Sequence, residues 1–174
     1  LYGGNGNDHI YGNDGVDFLD GGMGNDYLDG GENNDSIIGD DGDDIIVDLY
    51  GDNKINGGNG NDNIKTGSGI DTIFGGSGDD EIYSGDGDDT IEGNDGNDTI
   101  YGEGGRDTIY GGNGNDYIDG GDELDKIFGE AGDDTIYGGG MTDYISGGDG
   151  DDWIDGGLGI DLLFGDDGDD IIFG

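Results

Sequence analysis

The chain has 174 residues, of which 45 are acidic, four are basic and 47 are Gly, with no Pro and no Cys, giving a formal charge of -41. Such a polyanion repels nucleic acid and anionic membrane surfaces, its apolar runs are too short to span a bilayer, and no disulfide can staple it. With 29% hydrophobic residues, the composition alone is that of a disordered chain.

The order of the residues points the other way. Leu1 and Tyr2 read as the last two positions of a nonapeptide. From Gly3 to Phe173 the chain divides into 19 consecutive nonapeptides with no insertion or deletion, and Gly174 begins another. Both termini cut the pattern mid-repeat, so the expectation is a single array that is part of a longer chain. Position 8 is Ile or Leu in all 19 repeats, from Ile10 and Leu19 to Leu163 and Ile172. Position 6 is Asp in 18 of them, the exception being Asn53, and positions 1 and 4 are each Gly in 16.

Along the chain the repeats alternate. Repeats 1 (3–11), 3 (21–29), 5 (39–47) and every later odd one keep G-x-x-G-x-D with Asn or Asp at position 5. The even repeats carry every departure. Gly is replaced at position 1 or 4 by Asn33, Asp48, Thr66, Ser84, Glu123 and Met141. Position 5 admits Val16, Ile70, Leu124 and Ile160, and Asn53 stands for Asp. The true unit is therefore 18 residues with two unlike halves, as expected of a coil that visits two edges.

Positions 7 to 9 of each repeat predict a three-residue strand with the aliphatic residue facing inward and its neighbours outward. Six-residue turns join the strands. Stacked coils then give two parallel sheets with Ile/Leu ladders between them, and 15 of the 16 aromatic residues fall at the outward positions 7 or 9. One aliphatic side chain per nine residues cannot offset the entropy of ordering so Gly-rich a chain, and the Asp columns would stack like charges. A hard divalent cation between coils answers both problems. It would be held by Asp carboxylates and turn carbonyls, and the all-oxygen set with no His or Cys cluster favours Ca²⁺ over Zn²⁺. Nine odd gaps and eight even gaps allow up to 17 ions, adding +34 against -41. The expected carboxylate ligands are Asp8, Asp17, Asp26, Asp35, Asp44, Asp62, Asp71, Asp80, Asp89, Asp98, Asp107, Asp116, Asp125, Asp134, Asp143, Asp152, Asp161 and Asp170.

The segments GGNGNDHIY (3–11), GGMGNDYLD (21–29), GGNGNDYID (111–119) and GGDGDDWID (147–155) match the consensus G-G-x-G-x-D-x-U-x in full. The chain thereby resembles the repeats-in-toxin (RTX) family, the calcium-binding repeats of secreted bacterial proteins. The resemblance covers essentially the whole chain. It implies an all-β, right-handed parallel β-roll (a β-solenoid), with ions held between coils by carbonyls at positions 2 and 4 of one turn, by those at positions 1 and 3 of the next, and by both Asp residues. On the odd edge the implied carbonyl ligands begin with Gly4, Gly6, Gly21, Gly22, Met23 and Gly24, and continue through Gly39, Asp40, Asp41, Gly42, Gly57, Gly58, Asn59, Gly60, Gly75, Gly76, Ser77 and Gly78. They go on through Gly93, Asn94, Asp95, Gly96, Gly111, Gly112, Asn113, Gly114, Gly129, Glu130, Ala131 and Gly132, and end with Gly147, Gly148, Asp149, Gly150, Gly165 and Asp167. A fully occupied odd edge is expected. On the even edge occupancy is doubtful around repeats 4, 6, 14 and 16, which leaves the gaps between repeats 8, 10 and 12 as the safest.

No catalytic constellation is legible. His9 is the only His and sits at an outward position, where a surface role is expected, so no Ser/His/Asp or Cys/His set can form. The paired acids Asp79 and Asp80 suggest glycosidase carboxylates only until their phase is read, which makes Asp80 a ligand and Asp79 turn surface. The outer faces carry a ladder of Thr72, Thr90 and Thr108 and columns of aromatic residues: Phe74, Tyr110, Phe128 and Phe164 on one sheet, and Tyr83, Tyr101 and Tyr137 on the other. These are open to a neighbouring domain, a sister rod or a carbohydrate. The expected function is a non-enzymatic, Ca²⁺-dependent folding and structural module of a secreted or cell-surface bacterial protein, exported by type I secretion as the resemblance implies. Two alternatives stand beside it, an adhesive or self-assembling segment and an accessory domain of a secreted protease, lipase or toxin.

Overall fold

In the computed structural model, which describes residues 1–174, the chain winds into two parallel sheets. The first sheet stacks Tyr2–Asn5, Phe18–Met23, Ser36–Asp41, Lys54–Asn59, Thr72–Ser77, Thr90–Asp95, Thr108–Asn113, Lys126–Ala131, Tyr144–Asp149 and Leu162–Asp167. The second stacks His9–Tyr11, Tyr27–Asp29, Ile45–Tyr50, Asn63–Ser68, Glu81–Tyr83, Thr99–Tyr101, Tyr117–Gly121, Thr135–Met141, Trp153–Asp155 and Ile171–Phe173, with Leu158–Gly159 pairing beside Thr135–Met141. Every pairing joins residue i to residue i+18, as in Ile82↔Ile100 and Ile91↔Ile109, so the 18-residue coil is realised without a slip.

Alternation along each strand sends position 8 inward. Seventeen of these residues, from Ile10 to Ile154, form one core, all fully buried except Ile10 at 9% exposure. Leu163 is partly buried against it, and Leu1 and Ile172 are exposed on the terminal coils. The core is one side chain thick from each sheet. Burial of each Ile contributes on the order of 1.5–3 kcal/mol, and no second hydrophobic layer adds to it.

One expectation needs correction. The strands of the first sheet are mostly six residues long: they run through positions 7 to 9 of an even repeat and continue through positions 1 to 3 of the following odd repeat. The odd turn is therefore half ladder, with pairs such as Gly76↔Asn94 and Ser77↔Asp95. On the even edge pairing past position 9 occurs only in patches, at Asp48↔Thr66, Tyr50↔Ser68, Gly121↔Gly139 and Gly140↔Leu158, and as isolated bridges such as Asp86↔Gly104.

Gly residues divide between two tasks. Positions 2 and 4 hold positive φ, as at Gly112 (118°) and Gly114 (132°), where a side chain is strained. In most places where Gly is absent the conformation persists, as in Asp40 (74°) and Glu130 (77°) at position 2 and in Asn33 (82°) and Met141 (76°) at position 4, whereas Leu49 at position 2 lacks it. Position 1 has no positive φ. Its Gly is required for space.

Candidate metal centres

Each position-6 Asp is the last turn residue and folds its carboxylate back toward the position-1 residue of its own turn. Its Oδ1 accepts the N–H of the position-6 residue one coil earlier, as Asp116 Oδ1 does from Asp98 at 2.8 Å. This bond crosses all 17 gaps, at 2.7–3.0 Å. Asn53 takes the same place: its Oδ1 accepts the Asp35 N–H at 2.9 Å. Position 6 is buried from Asp26 to Asp152, while Asp8, Asp17, Asp161 and Asp170 near the ends are half-buried.

The other oxygen has no partner. Oδ2 is buried and without a hydrogen bond in fifteen of the eighteen position-6 Asp residues: Asp8, Asp26, Asp35, Asp44, Asp62, Asp71, Asp80, Asp89, Asp98, Asp107, Asp116, Asp125, Asp134, Asp143 and Asp152. An orphaned buried carboxylate oxygen is costly, and here the cost repeats at every level. These oxygens face the space beside the position-1 Gly. A Cβ on Gly75 would lie 2.5 Å from Asp80 Oδ2 and 2.8 Å from the Gly93 carbonyl of the next coil. The same pair of oxygens meets at Gly120 (Asp125 at 2.7 Å, Gly138 at 2.8 Å) and at Gly138 (Asp143 and Gly156, both at 2.7 Å).

Position-2 and position-4 carbonyls point down the rod: those of Gly4 and Gly6 face Gly22 and Gly24 of the next coil. Position-3 carbonyls point back and accept the position-4 N–H of the earlier coil, from Gly6 to Met23 (2.7 Å) through Gly150 to Asp167 (2.8 Å), in every odd gap. A carbonyl so engaged keeps a second lone pair. No group of three or more acidic, His or Cys side chains converges, so each gap with Asp at position 6 of both coils presents two carboxylates and backbone carbonyls. This all-oxygen donor set, with one anionic oxygen left unpaired at most levels, fits a hard divalent cation of the Ca²⁺ type.

Burial pushes the carboxyls up: Asp44, Asp62, Asp89 and Asp98 to about 6, Asp80, Asp116, Asp125 and Asp134 to about 7, and Asp107 to about 8. The amide of the preceding coil's Asp opposes the rise, and neighbouring Asp charges add to it. A folded-state pKa above the unfolded value gives stability that is complete below about pH 4 and is lost as pH rises through 6 to 8. The metal-free chain is therefore expected to hold more β structure at pH 5 than at pH 8 by far-UV circular dichroism. With Ca²⁺ the sign reverses, since protons compete for the same oxygens, and the Ca²⁺ concentration at half-folding should rise as pH falls.

The even edge departs from expectation in a specific way. At position 1 of repeats 8 and 10, Thr66 and Ser84 are buried and their hydroxyls donate to the carbonyls of Ser84 (2.5 Å) and Gly102 (2.9 Å). The gaps expected to be the safest are thus the ones where a side chain already engages the position-1 carbonyl. Around repeats 14 and 16, expected to be doubtful, Gly120 and Gly138 keep the open cradle, because Glu123 and Met141 change only position 4. Asp48, which reads in the sequence as a lost Gly, is fully buried with both oxygens unpartnered.

Within the turns, position 5 has a task that its composition alone does not reveal. Its Asn or Asp Oδ1 accepts the position-5 N–H of the next coil, as Asp79 does from Asn97 at 2.8 Å. Asp79 is thus exposed turn structure and Asp80 the buried partner. His9 is exposed and packs against Tyr27 at 5.7 Å between rings. Thr72, Thr90 and Thr108 stand side by side. Tyr83, Tyr101, Tyr117, Tyr137, Trp153 and Phe173 make one continuous stripe on the second sheet, with centroids 4.9–5.8 Å apart. Tyr110, Phe128, Tyr144 and Phe164 make another on the first. Both stripes draw on positions 9 and 7, which column-by-column reading misses, and Glu92 separates Phe74 from Tyr110.

No helix is long and apolar enough to cross a membrane. No curated protein matches the chain. Among solved structures it is similar to a hyperactive, Ca²⁺-dependent, beta-helical antifreeze protein from an Antarctic bacterium, at 18% identity and a TM-score of 0.37 over 98% of this chain and 84% of that one. The RTX calcium-binding nonapeptide repeat model matches in overlapping segments from residues 1–28 and 29–64 through to 146–174. By these matches along its whole length, the chain belongs to the RTX calcium-binding repeat family.

Proposed function

We infer that this chain is a non-enzymatic module that folds on binding Ca²⁺ and serves as a rigid structural segment of a secreted or cell-surface protein. The observation that carries this reading is the column of fifteen buried Oδ2 atoms with no partner. The fold leaves one anionic oxygen at almost every level with nothing to satisfy it. Asp Oδ2, the position-2 and position-4 carbonyls of one coil and the position-1 carbonyl of the next would hold the ion, with the position-3 carbonyl sharing its free lone pair. Bound Ca²⁺ supplies the positive charge that lets stacked carboxylates stay ionised. The chain contributes the spacing: Oδ1 is tied to the neighbouring coil and Oδ2 is left to the gap. The nine odd gaps have the uniform geometry for full occupancy. On the even edge the best-formed gaps are those beginning at Gly12, Gly102, Gly120 and Gly138.

Extracellular Ca²⁺ modules bind at ~10⁻⁴–10⁻³ M. A chain with such sites stays unfolded where Ca²⁺ is scarce and folds where it is millimolar, which suits export of an unfolded chain by type I secretion followed by folding outside. Calorimetric titration of the metal-free chain with CaCl₂ should show multi-site binding in this range, and MgCl₂ should fail to replace it. Absence of heat with CaCl₂ at pH 7.5 would refute the reading. A second role, as an adhesive or assembling surface segment, is favoured by the two aromatic stripes, which give opposite faces of the rod flat contact surfaces.

A further inference from the structure

The turn of repeat 6, Asp48 to Asn53, breaks the consensus twice: position 1 gains a carboxylate and position 6 loses one. The two changes meet in one gap. Asp48 is fully buried, and neither of its oxygens has a hydrogen-bond partner. Its Oδ2 points back toward the coil of repeat 4, into the space beside Gly30 where a Cβ would lie. Asp35 Oδ2, also unpartnered, reaches the same point at 2.7 Å. Asn53 meanwhile keeps only its structural duty. Its Oδ1 accepts the Asp35 N–H at 2.9 Å and its Nδ2 lies 3.5 Å from the Tyr50 carbonyl, which leaves no charged oxygen for the gap.

The usual gap is lined by two position-6 carboxylates. Here Asp35 supplies one, and Asp48 supplies from position 1 the charge that position 53 lacks. Two buried carboxylates with three unpartnered oxygens cannot both remain ionised unless a cation lies between them. No Lys or Arg serves, because the one ion pair of the chain joins Arg106 to Asp88, six repeats from Asp35 on the same edge.

We propose that Asp48 and Asp35 hold a divalent cation, Ca²⁺, in the gap between repeats 4 and 6, in a site whose second carboxylate has moved from position 6 to position 1. The next even gap, between repeats 6 and 8, keeps only Asp71 as a position-6 carboxylate, so it holds no ion. The proposal rests on the calcium reading above, and its test separates the two.

Crystals grown in CaCl₂ should show anomalous density between the Asp35 and Asp48 carboxylates as well as along the odd edge. Peaks on the odd edge with none here would overturn the proposal and leave the general reading intact; absence of peaks on both edges would overturn both. By native mass spectrometry in Ca²⁺, Asp48→Asn should bind one ion fewer than the parent. The paired variant Asp48→Gly with Asn53→Asp, which restores the consensus, should bind at least as many as the parent. An unchanged ion count in Asp48→Asn would contradict the assignment. Should that single variant fail to fold, the density in parent crystals decides.

Discussion

Asp116→Asn is expected to destabilise the Ca²⁺-loaded rod by about 3–5 kcal/mol and to leave the metal-free chain at acid pH no less stable than the parent. Asp116 borders two odd gaps. Its Oδ1 accepts the Asp98 N–H at 2.8 Å, and its own N–H reaches Asp134 Oδ1 at 2.8 Å. An amide can keep both bonds, as Asn53 does between Asp35 and Asp71 at 2.9 and 2.7 Å. What it removes is the anionic, unpartnered Oδ2. A ten- to hundredfold loss of affinity in each of two gaps gives the stated magnitude, at about 1.4 kcal/mol per tenfold. Without metal, that same oxygen is a desolvated group pushed up to about 7, so its removal costs nothing once the parent's carboxyl is protonated. Thermal unfolding in millimolar CaCl₂ and in EDTA at pH 5 measures both arms. Equal destabilisation in the two conditions would mean that Asp116 acts only as a turn residue.

Gly75→Ala is expected to cost about 3 kcal/mol or more in Ca²⁺ and to eliminate binding in the gap below Gly75. The added methyl would sit 2.5 Å from Asp80 Oδ2 and 2.8 Å from the Gly93 carbonyl. The carbonyl is backbone held in the ladder, and the carboxylate is tied at Oδ1 to the Asp62 amide at 2.7 Å. Neither yields without breaking inter-coil hydrogen bonds, and overpacking alone costs about 1–3 kcal/mol. The even edge shows the permitted alternative: Thr66 and Ser84 fill position 1 with a hydroxyl that donates to the carbonyl in its path. Chemical denaturation of Gly75→Ala in CaCl₂ gives the energy, and ion counting gives the lost site. A variant as stable as the parent would show that the space beside position 1 is not needed.

Much of this architecture is legible in the residues themselves. The phase of Ile and Leu at position 8 gives the inward ladder, and the odd–even contrast gives the 18-residue coil, because side-chain burial imposes a period on composition. The Asp column is legible because one residue type recurs in one phase. Backbone pairing leaves no such trace. Nothing in G-G-x announces that positions 1 to 3 of the odd turns extend the first sheet, or that Gly at position 1 gives room while Gly at positions 2 and 4 gives φ. The even edge misleads for a related reason. A substitution at position 4, as in Met141, breaks the consensus yet spares the cradle, whereas Thr66 looks conservative and fills it. Asp48 reads as a lost Gly until its carboxylate is found facing Asp35. The sequence-level clue was that the extra Asp and the missing one fall in the same repeat.

The central claim is that the fold and the ion arrive together, and far-UV circular dichroism of the chain at pH 7.5 tests it most directly. In EDTA the spectrum should be that of a disordered coil. Addition of millimolar CaCl₂ should convert it cooperatively to β structure, reversed by excess chelator. A β spectrum already present in EDTA and unchanged by CaCl₂ would contradict the account.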